Sequence, residues 1–163
     1  MNKYLRVIFI FLIVLSFAGC DQATKSMAKR ELQFSSSVSL AGGLVRLQYA
    51  ENEGGFLSIG SEMPAAFRKT SAILLSVLVL IGFIYLISSA QTITLSSLIS
   101  FSLLIAGSLG NLIDRLFNQG RVVDFLILGT KTFHTGILNV ADLLITTSIV
   151  MLFITEVFHK RDA

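Results

Sequence analysis

Two aspartates stand beside or inside long apolar stretches: Asp124 in Val-Val-Asp-Phe and Asp142 in Asn-Val-Ala-Asp. A carboxylate next to hydrocarbon is costly, so an ionisable residue at membrane depth marks a functional site by default. Two carboxylates that share a site do not ionise together easily, and one keeps a proton while the other serves as a base. Such a pair suits attack of water on a peptide carbonyl. One carboxylate activates the water, and the other protonates the carbonyl oxygen or the leaving amine. The plain alternative is a helix-start aspartate at Asp142 and a connector aspartate at Asp124.

The surrounding chain must be membrane. It has 163 residues, 53% hydrophobic and 14% charged, with a mean hydropathy of +0.78. A soluble domain this short does not carry so much apolar surface with so few charges. A spanning helix needs about 20 mostly apolar residues. Segments of about that length lie at 5–24, 69–90, 93–115 and 137–158. Pro64, the only proline, falls between them, and no internal repeat is present. The expected fold is an α-helical integral membrane protein, a single domain over 1–163 with four transmembrane helices.

Several function classes fall away. The formal net charge is +3, but the Lys and Arg residues scatter at segment ends with no basic face, which argues against nucleic acid. They read as interface anchors. One cysteine, Cys20, excludes an internal disulfide and a cysteine-rich metal site. His134 and His159 lie far apart with no His-Glu-x-x-His, so neither a zinc protease nor a serine–histidine triad is supported. No metal is expected from these residues. The stretch Leu15-Ser-Phe-Ala-Gly-Cys20 resembles a lipoprotein processing box. The helical register continues into Asp21–Lys25 and further spans follow, which favours a first transmembrane helix that ends in Gly-Cys.

Four successive spans put both termini on one side, the near side, and collect the polar residues at the other. Asp21 and Lys25 follow span one, Asn111 to Arg115 end span three, and Asn139 and Asp142 open span four. At 1.5 Å per residue, Asp142 lies about one helical turn inside the boundary. Most Lys and Arg also fall on the far side, so the positive-inside rule alone does not fix the orientation. Residues 34–60 form a far-side insertion read as a small β unit. Leu44 to Tyr49 alternates in polarity, and Gly42-Gly43 signals a turn after Val38 to Leu40. Asn52-Glu-Gly54-Gly55-Phe56 then forms a glycine-rich loop, or an ordinary hairpin loop.

The remaining motifs position rather than react. Asp21 and Lys25 are i, i+4 with the acid first, the favourable order for an ion pair on one helix face. Ala106-x-x-x-Gly110 lets helices approach closely. Asn111 shares a face with Asp114 and Arg115, a cluster read as a hydrogen-bonded scaffold, with Asp114 and Arg115 pointing to different sides. A proton path in a transporter is disfavoured, because the charges gather at one edge and do not cross the bilayer.

Five blocks occur in order: Asp21-Gln-Ala-Thr-Lys25, Asn52-Glu-Gly54, Gly107-Ser-Leu-Gly110-Asn111-Leu-Ile-Asp114-Arg115, Gly120-Arg-Val-Val-Asp124-Phe125 and Asn139-Val-Ala-Asp142. Together they resemble the bacterial lipoprotein signal peptidase, or signal peptidase II, family over nearly the whole chain. The resemblance implies a four-helix membrane aspartyl endopeptidase with a small extracytoplasmic β-cradle between helices 1 and 2. It implies cleavage of diacylglyceryl-modified prolipoproteins just before the lipidated cysteine. Asp124 and Asp142 would form the catalytic dyad. Asn52, Gly54, Asn111, Arg115 and Asn139 would line or brace the site, and Asp21 and Lys25 would brace its mouth. Other implications are a cofactor-free monomer among membrane lipids, inhibition by the cyclic peptide globomycin, and a place in the bacterial inner membrane. Both termini would be cytoplasmic and the site would face the outer leaflet.

The chain departs from the family pattern in places. Gly55-Phe56-Leu57 stands where Ala-Ala-Phe or similar is usual, the connector from Arg115 to Gly120 is longer, and Leu138 replaces an aromatic. These bear on substrate range, rate and inhibitor sensitivity. The alternative they leave is a catalytically impaired paralogue that binds lipidated peptides.

Overall fold

The structure, a computed structural model, describes residues 2–35, 37–53, 64–89 and 93–159. Gly54, Gly55, Phe56 and Leu57 lie outside the described residues. Among those described, the elements run α1 (Lys3–Leu32), β1 (Val38–Leu40), a 3-10 turn (Ala41–Gly43), β2 (Val45–Asn52), α2 (Ala65–Ser89), α3 (Leu95–Phe117), β3 (Val122–Leu128) and α4 (Val140–His159).

Helix α3 is the axis of the bundle, and α1, α2 and α4 all pack against it. Its buried face carries Leu98, Leu103, Leu104, Ile105 and Ala106, with buried serines between them. Those serines cost little, because Ser100 and Ser102 donate to the carbonyls of Ser96 and Leu98 in their own helix. The outer faces of the other helices stay apolar and exposed, as at Phe11, Leu15, Leu75, Leu78 and Phe153. Hydrocarbon can cover such faces and water cannot, and α1, α2 and α3 are long and apolar enough to cross a membrane. The apolar stretch of α4, Val140–Thr155, is shorter.

Helix α1 continues beyond the apolar segment read from the sequence, to Leu32. Ala18, Asp21, Lys25 and Ala28 are its buried residues, and they recur at helical spacing. The extension is therefore held by burial, not by hydrophobicity. Cys20 is inside this helix with its side chain exposed.

The small sheet is antiparallel, in the order β1-β2-β3. Its first two strands lie between α1 and α2 in the chain. The third does not: β3 comes from the connection between α3 and α4, where the sequence predicts only a connector. Val122 to Leu128 is a nearly continuous apolar run, buried at five of its seven positions. With no polar–apolar alternation it gives no half-buried strand signal. Between the pairs Leu47↔Leu126 and Ala50↔Asp124 the register shifts, with two β2 residues facing one on β3. This β-bulge sits directly beside Asp124, where such irregularities commonly re-aim a side chain.

Candidate active site

Asp124 is the third residue of β3 and is 3% exposed. Asp142 is in the first turn of α4. The chain between them folds back so that Leu138 lies against β3. The Leu138 carbonyl accepts from the N–H groups of Phe125 and Leu126, each at 2.8 Å, and the Leu138 N–H returns a bond to the Leu126 carbonyl at 2.8 Å. Strand β3 is thus held by β2 on one edge and by the entry to α4 on the other.

Asn139 and Asp142 form a reciprocal cap. The Asp142 N–H donates to Asn139 Oδ1 at 2.9 Å, and the Asn139 N–H donates to Asp142 Oδ2 at 3.2 Å. This is the logic of a capping box, with Asn at the cap and a carboxylate three residues on. The same Asn139 side chain, fully buried, donates to Asp124 Oδ1 at 2.6 Å and to Asn111 Oδ1 at 3.2 Å. Asn111 Nδ2 donates to Asp142 Oδ1 at 3.0 Å. Two amides therefore link the two aspartates, and both oxygens of Asp142 accept from N–H groups.

Asn52, at the end of β2, also hydrogen-bonds the Asp124 side chain. Burial, first, and then the neighbouring charge of Asp142 push the Asp124 carboxyl up from 3.8 to about 6, against the bonds from Asn139 and Asn52. Asp124 is thus the member of the pair that holds a proton longer than an ordinary carboxylate.

Beneath the pair is a second buried layer. Lys25 Nζ, on a side chain 3% exposed, reaches Asp21 Oδ2 at 2.8 Å and Asp114 Oδ2 at 3.1 Å. It also donates to Asn111 Oδ1 at 2.9 Å. An ammonium has three donors, and all three are used. Each carboxylate then grips a backbone. Asp21 Oδ1 accepts the Ala141 N–H at 2.8 Å, and Asp114 Oδ2 accepts the Val123 N–H at 2.8 Å. Ala141 immediately precedes Asp142, and Val123 immediately precedes Asp124. One ammonium thus holds the two anchors that fix where both aspartates leave the backbone.

The small residues of α3 make this fit possible. A Cβ on Gly110 would lie 2.5 Å from Asp21 Oδ2, and one on Gly107 would lie 2.6 Å from the Ala141 carbonyl oxygen. Arg115 points away from Asp114, toward α2, where it donates to Ser76 Oγ at 3.2 Å. Its Nε is buried without a hydrogen-bond partner among the described residues. A cleft of about 230 Å³ opens there, between Leu75 and Val79 of α2, Asn111 and Arg115 of α3, and Ile145 of α4.

The structure thus brings together Asp21, Lys25, Asn52, Asn111, Asp124, Asn139 and Asp142, with Arg115 alongside. Gly54 lies outside the described residues. Asp21 and Lys25 are buried under the pair rather than on an open rim. Sequence reasoning passed over Gln22. Its amide donates to Asp114 Oδ1 at 2.9 Å and to the Gly110 carbonyl at 3.0 Å, tying α1 to α3. Its place between Asp21 and Lys25, directly after the apolar part of α1, was the available signal. Among the described residues no cluster of His, Cys, Asp and Glu could hold a metal ion.

Comparison with known proteins bears on the family of the chain. The family model described as signal peptidase (SPase) II matches residues 12–158. The lipoprotein signal peptidase of Francisella tularensis subsp. novicida is 31% identical over 161 residues, covering 99% of both chains. That of Geobacter sulfurreducens is 30% identical over 149 residues, covering 91% of both. A bacterial membrane enzyme solved by the in meso method at 2.3 Å superposes with a TM-score of 0.81 at 24% identity, over 94% of this chain and 90% of the other. A second, at 1.9 Å, gives a TM-score of 0.77 at 25% identity, over 90% and 91%. With a family match over most of its length and named relatives end to end, the chain belongs to the signal peptidase II family of proteases.

Proposed function

We propose that Asp124 and Asp142 are the catalytic pair of an aspartic endopeptidase. The chain's activity, removal of signal peptides from prolipoproteins, follows from its family. The observation that carries the residue assignment is the double tether described above: two buried asparagines bind both carboxylates, and a buried lysine fixes both backbones behind them. Asp142 sits at a helix N-terminus, which favours negative charge, and both its oxygens accept from N–H donors. It is the base that activates water. Asp124, whose carboxyl is pushed up to about 6, is the acid that protonates the carbonyl oxygen or the leaving amine.

The substrate segment beside the scissile bond enters the cleft between α2, α3 and α4. Its walls mix apolar Leu75, Val79 and Ile145 with polar Ser76, Ser108 and Asn111, and the buried Arg115 Nε offers a donor for a substrate carbonyl. The cut falls just before a diacylglyceryl-modified cysteine, whose chains remain in the lipid. The chain crosses the bacterial inner membrane four times as a monomer. Both termini are cytoplasmic, and the sheet and the site are at the outer leaflet. Inhibition by globomycin-type cyclic peptides belongs to the same reading.

The test mixes purified protein in detergent with a diacylglyceryl-modified prolipoprotein, beside Asp124→Asn and Asp142→Asn. Cleavage by the wild type alone supports the assignment. Normal cleavage by either variant sinks it. Binding of the lipopeptide by the wild type with no product, while a known relative cuts it in parallel, points instead to a binding paralogue.

A further inference from the structure

Helices α1 and α2 each pack closely on α3, while their backbones stay apart and they meet only through side chains. The gap between them is an apolar cleft of about 360 Å³. Val7, Ile10 and Val14 form one wall, Leu80 and Ile84 the other, and Ile105 of α3 the floor. It lies along the first half of α1 and the second half of α2, away from Asp124 and Asp142. Hydrocarbon depth surrounds it, so its occupant in a membrane is apolar.

A helix from another chain fits it poorly. Close helix approach in lipid relies on small residues, and these walls are branched or bulky. A flexible hydrocarbon chain has no such requirement.

The sequence of α1 supplies the other half of the site. Lys3, Arg6, Val7, Ile10 and Val14 share one helical face, with the cations at one end and the apolar residues running inward. Lys3 is exposed, and Arg6 reaches across to donate to the carbonyl of Ile87, in the last turns of α2 and part of the same cleft. Two cations thus mark the mouth of an apolar groove at the depth where a lipid headgroup would sit.

We propose that this cleft is a binding site for one anionic phospholipid of the leaflet at the N-terminal end of α1, with an acyl chain between α1 and α2 and the phosphate held by Lys3 and Arg6. Each cation near an anionic headgroup contributes about fivefold to affinity. The lipid wedges α1 and α2 apart while both stay on α3, and it does not touch the catalytic pair.

The full-length protein is reconstituted in nanodiscs of equal phosphatidylglycerol and phosphatidylcholine, released into the gas phase, and its retained lipids are weighed by native mass spectrometry. The wild type should hold one phosphatidylglycerol in preference to phosphatidylcholine by about tenfold or more, given two cations. Lys3→Gln with Arg6→Gln should abolish the preference. Ile84→Trp, which fills the groove without changing charge, should lose the lipid of either kind. Cleavage of a prolipoprotein by each variant reports that it is folded. Equal retention of both lipids by the wild type, a preference that survives the double substitution, or a dimer in place of bound lipid would each overturn the proposal.

Discussion

Asp114 and Asp124 are joined through a single peptide group: Asp114 Oδ2 accepts the N–H of Val123 at 2.8 Å, and Val123 is the residue that carries the chain into Asp124. Asp21 does the same for Asp142 through the Ala141 N–H, at 2.8 Å. A carboxylate that does no chemistry thus stands behind each one assigned to chemistry. Lys25 pairs with both supporting groups.

Replacing Lys25 by Met should therefore do more than remove a surface charge. It leaves Asp21 and Asp114 buried without their cation, and breaking a buried ion pair costs about 3–5 kcal/mol. The expected result is a large fall in the unfolding midpoint in detergent, with loss of cleavage. Lys25→Arg should not restore it, since a guanidinium fork does not fit a site shaped for three convergent acceptors. Thermal unfolding alongside a cleavage assay measures both. A midpoint within a degree or so of wild type would refute the hub role.

Asn139→Ala removes a cap and both amide bonds at once. Loss of an N-cap costs about 1 kcal/mol, which predicts a small drop in stability. The fall in kcat should be much larger, because Asp124 loses the donor at 2.6 Å and Asp142 loses the partner that fixes its turn. Comparable, small losses in both quantities would make Asn139 merely structural.

The pH dependence follows from Asp124. Its carboxyl lies at about 6, raised by burial and by Asp142. A raised carboxyl keeps its proton up to that point and loses it above. Catalysis requires one proton on the pair, so kcat/KM should decline as pH rises through about 6, the limb that reports the free enzyme. Stability has the same sign: the folded state binds the extra proton, so stability falls between pH 3.8 and about 6 and is level above. In Asp142→Asn the like charge is gone, and Asp124 should titrate lower, as infrared difference spectra of the carboxyl band would show. An unchanged titration would mean that the two side chains are not coupled.

Glycine substitutions should separate the helices by their neighbours. Gly107→Ala drives a methyl into the Ala141 carbonyl, and Gly110→Ala drives one into Asp21. Overpacking of this kind costs about 1–3 kcal/mol, and both changes push on the backbone anchors of the site. Gly82→Ala in α2 meets nothing within 4 Å and should be neutral or stabilising by up to about 1 kcal/mol, the helix preference of Ala over Gly. Unfolding midpoints of the three variants decide the matter.

The sequence was most legible where side-chain chemistry conflicted with its surroundings. Asp124 and Asp142 stood out because a carboxylate in an apolar run has a cost, and the i, i+4 spacing of Asp21 and Lys25 put them on one face. Strand β3 was not legible, since a short run buried on both faces has no period that separates it from a connector. The true end of α1 was hidden for a related reason. Its last turns are kept helical by Lys25 and Ala28 packing inward, a tertiary cause that hydropathy does not register. The anchors at Val123 and Ala141 were hidden too, because a backbone N–H carries no residue identity.

The pairing of Asp21 with Lys25 also bears on how the chain is made. The two charges must enter a bilayer on α1 long before α3 and α4 have emerged to bind them. Because they sit one turn apart on the same helix, each brings its own counterion, and the segment can be inserted nearly neutral. Once α3 arrives with Asp114 and Asn111, and α4 with the Ala141 N–H, the pair stays closed and long-range bonds are added to it. The same four-residue spacing that later anchors the backbone beside Asp124 and Asp142 thus first serves as a passport into the membrane.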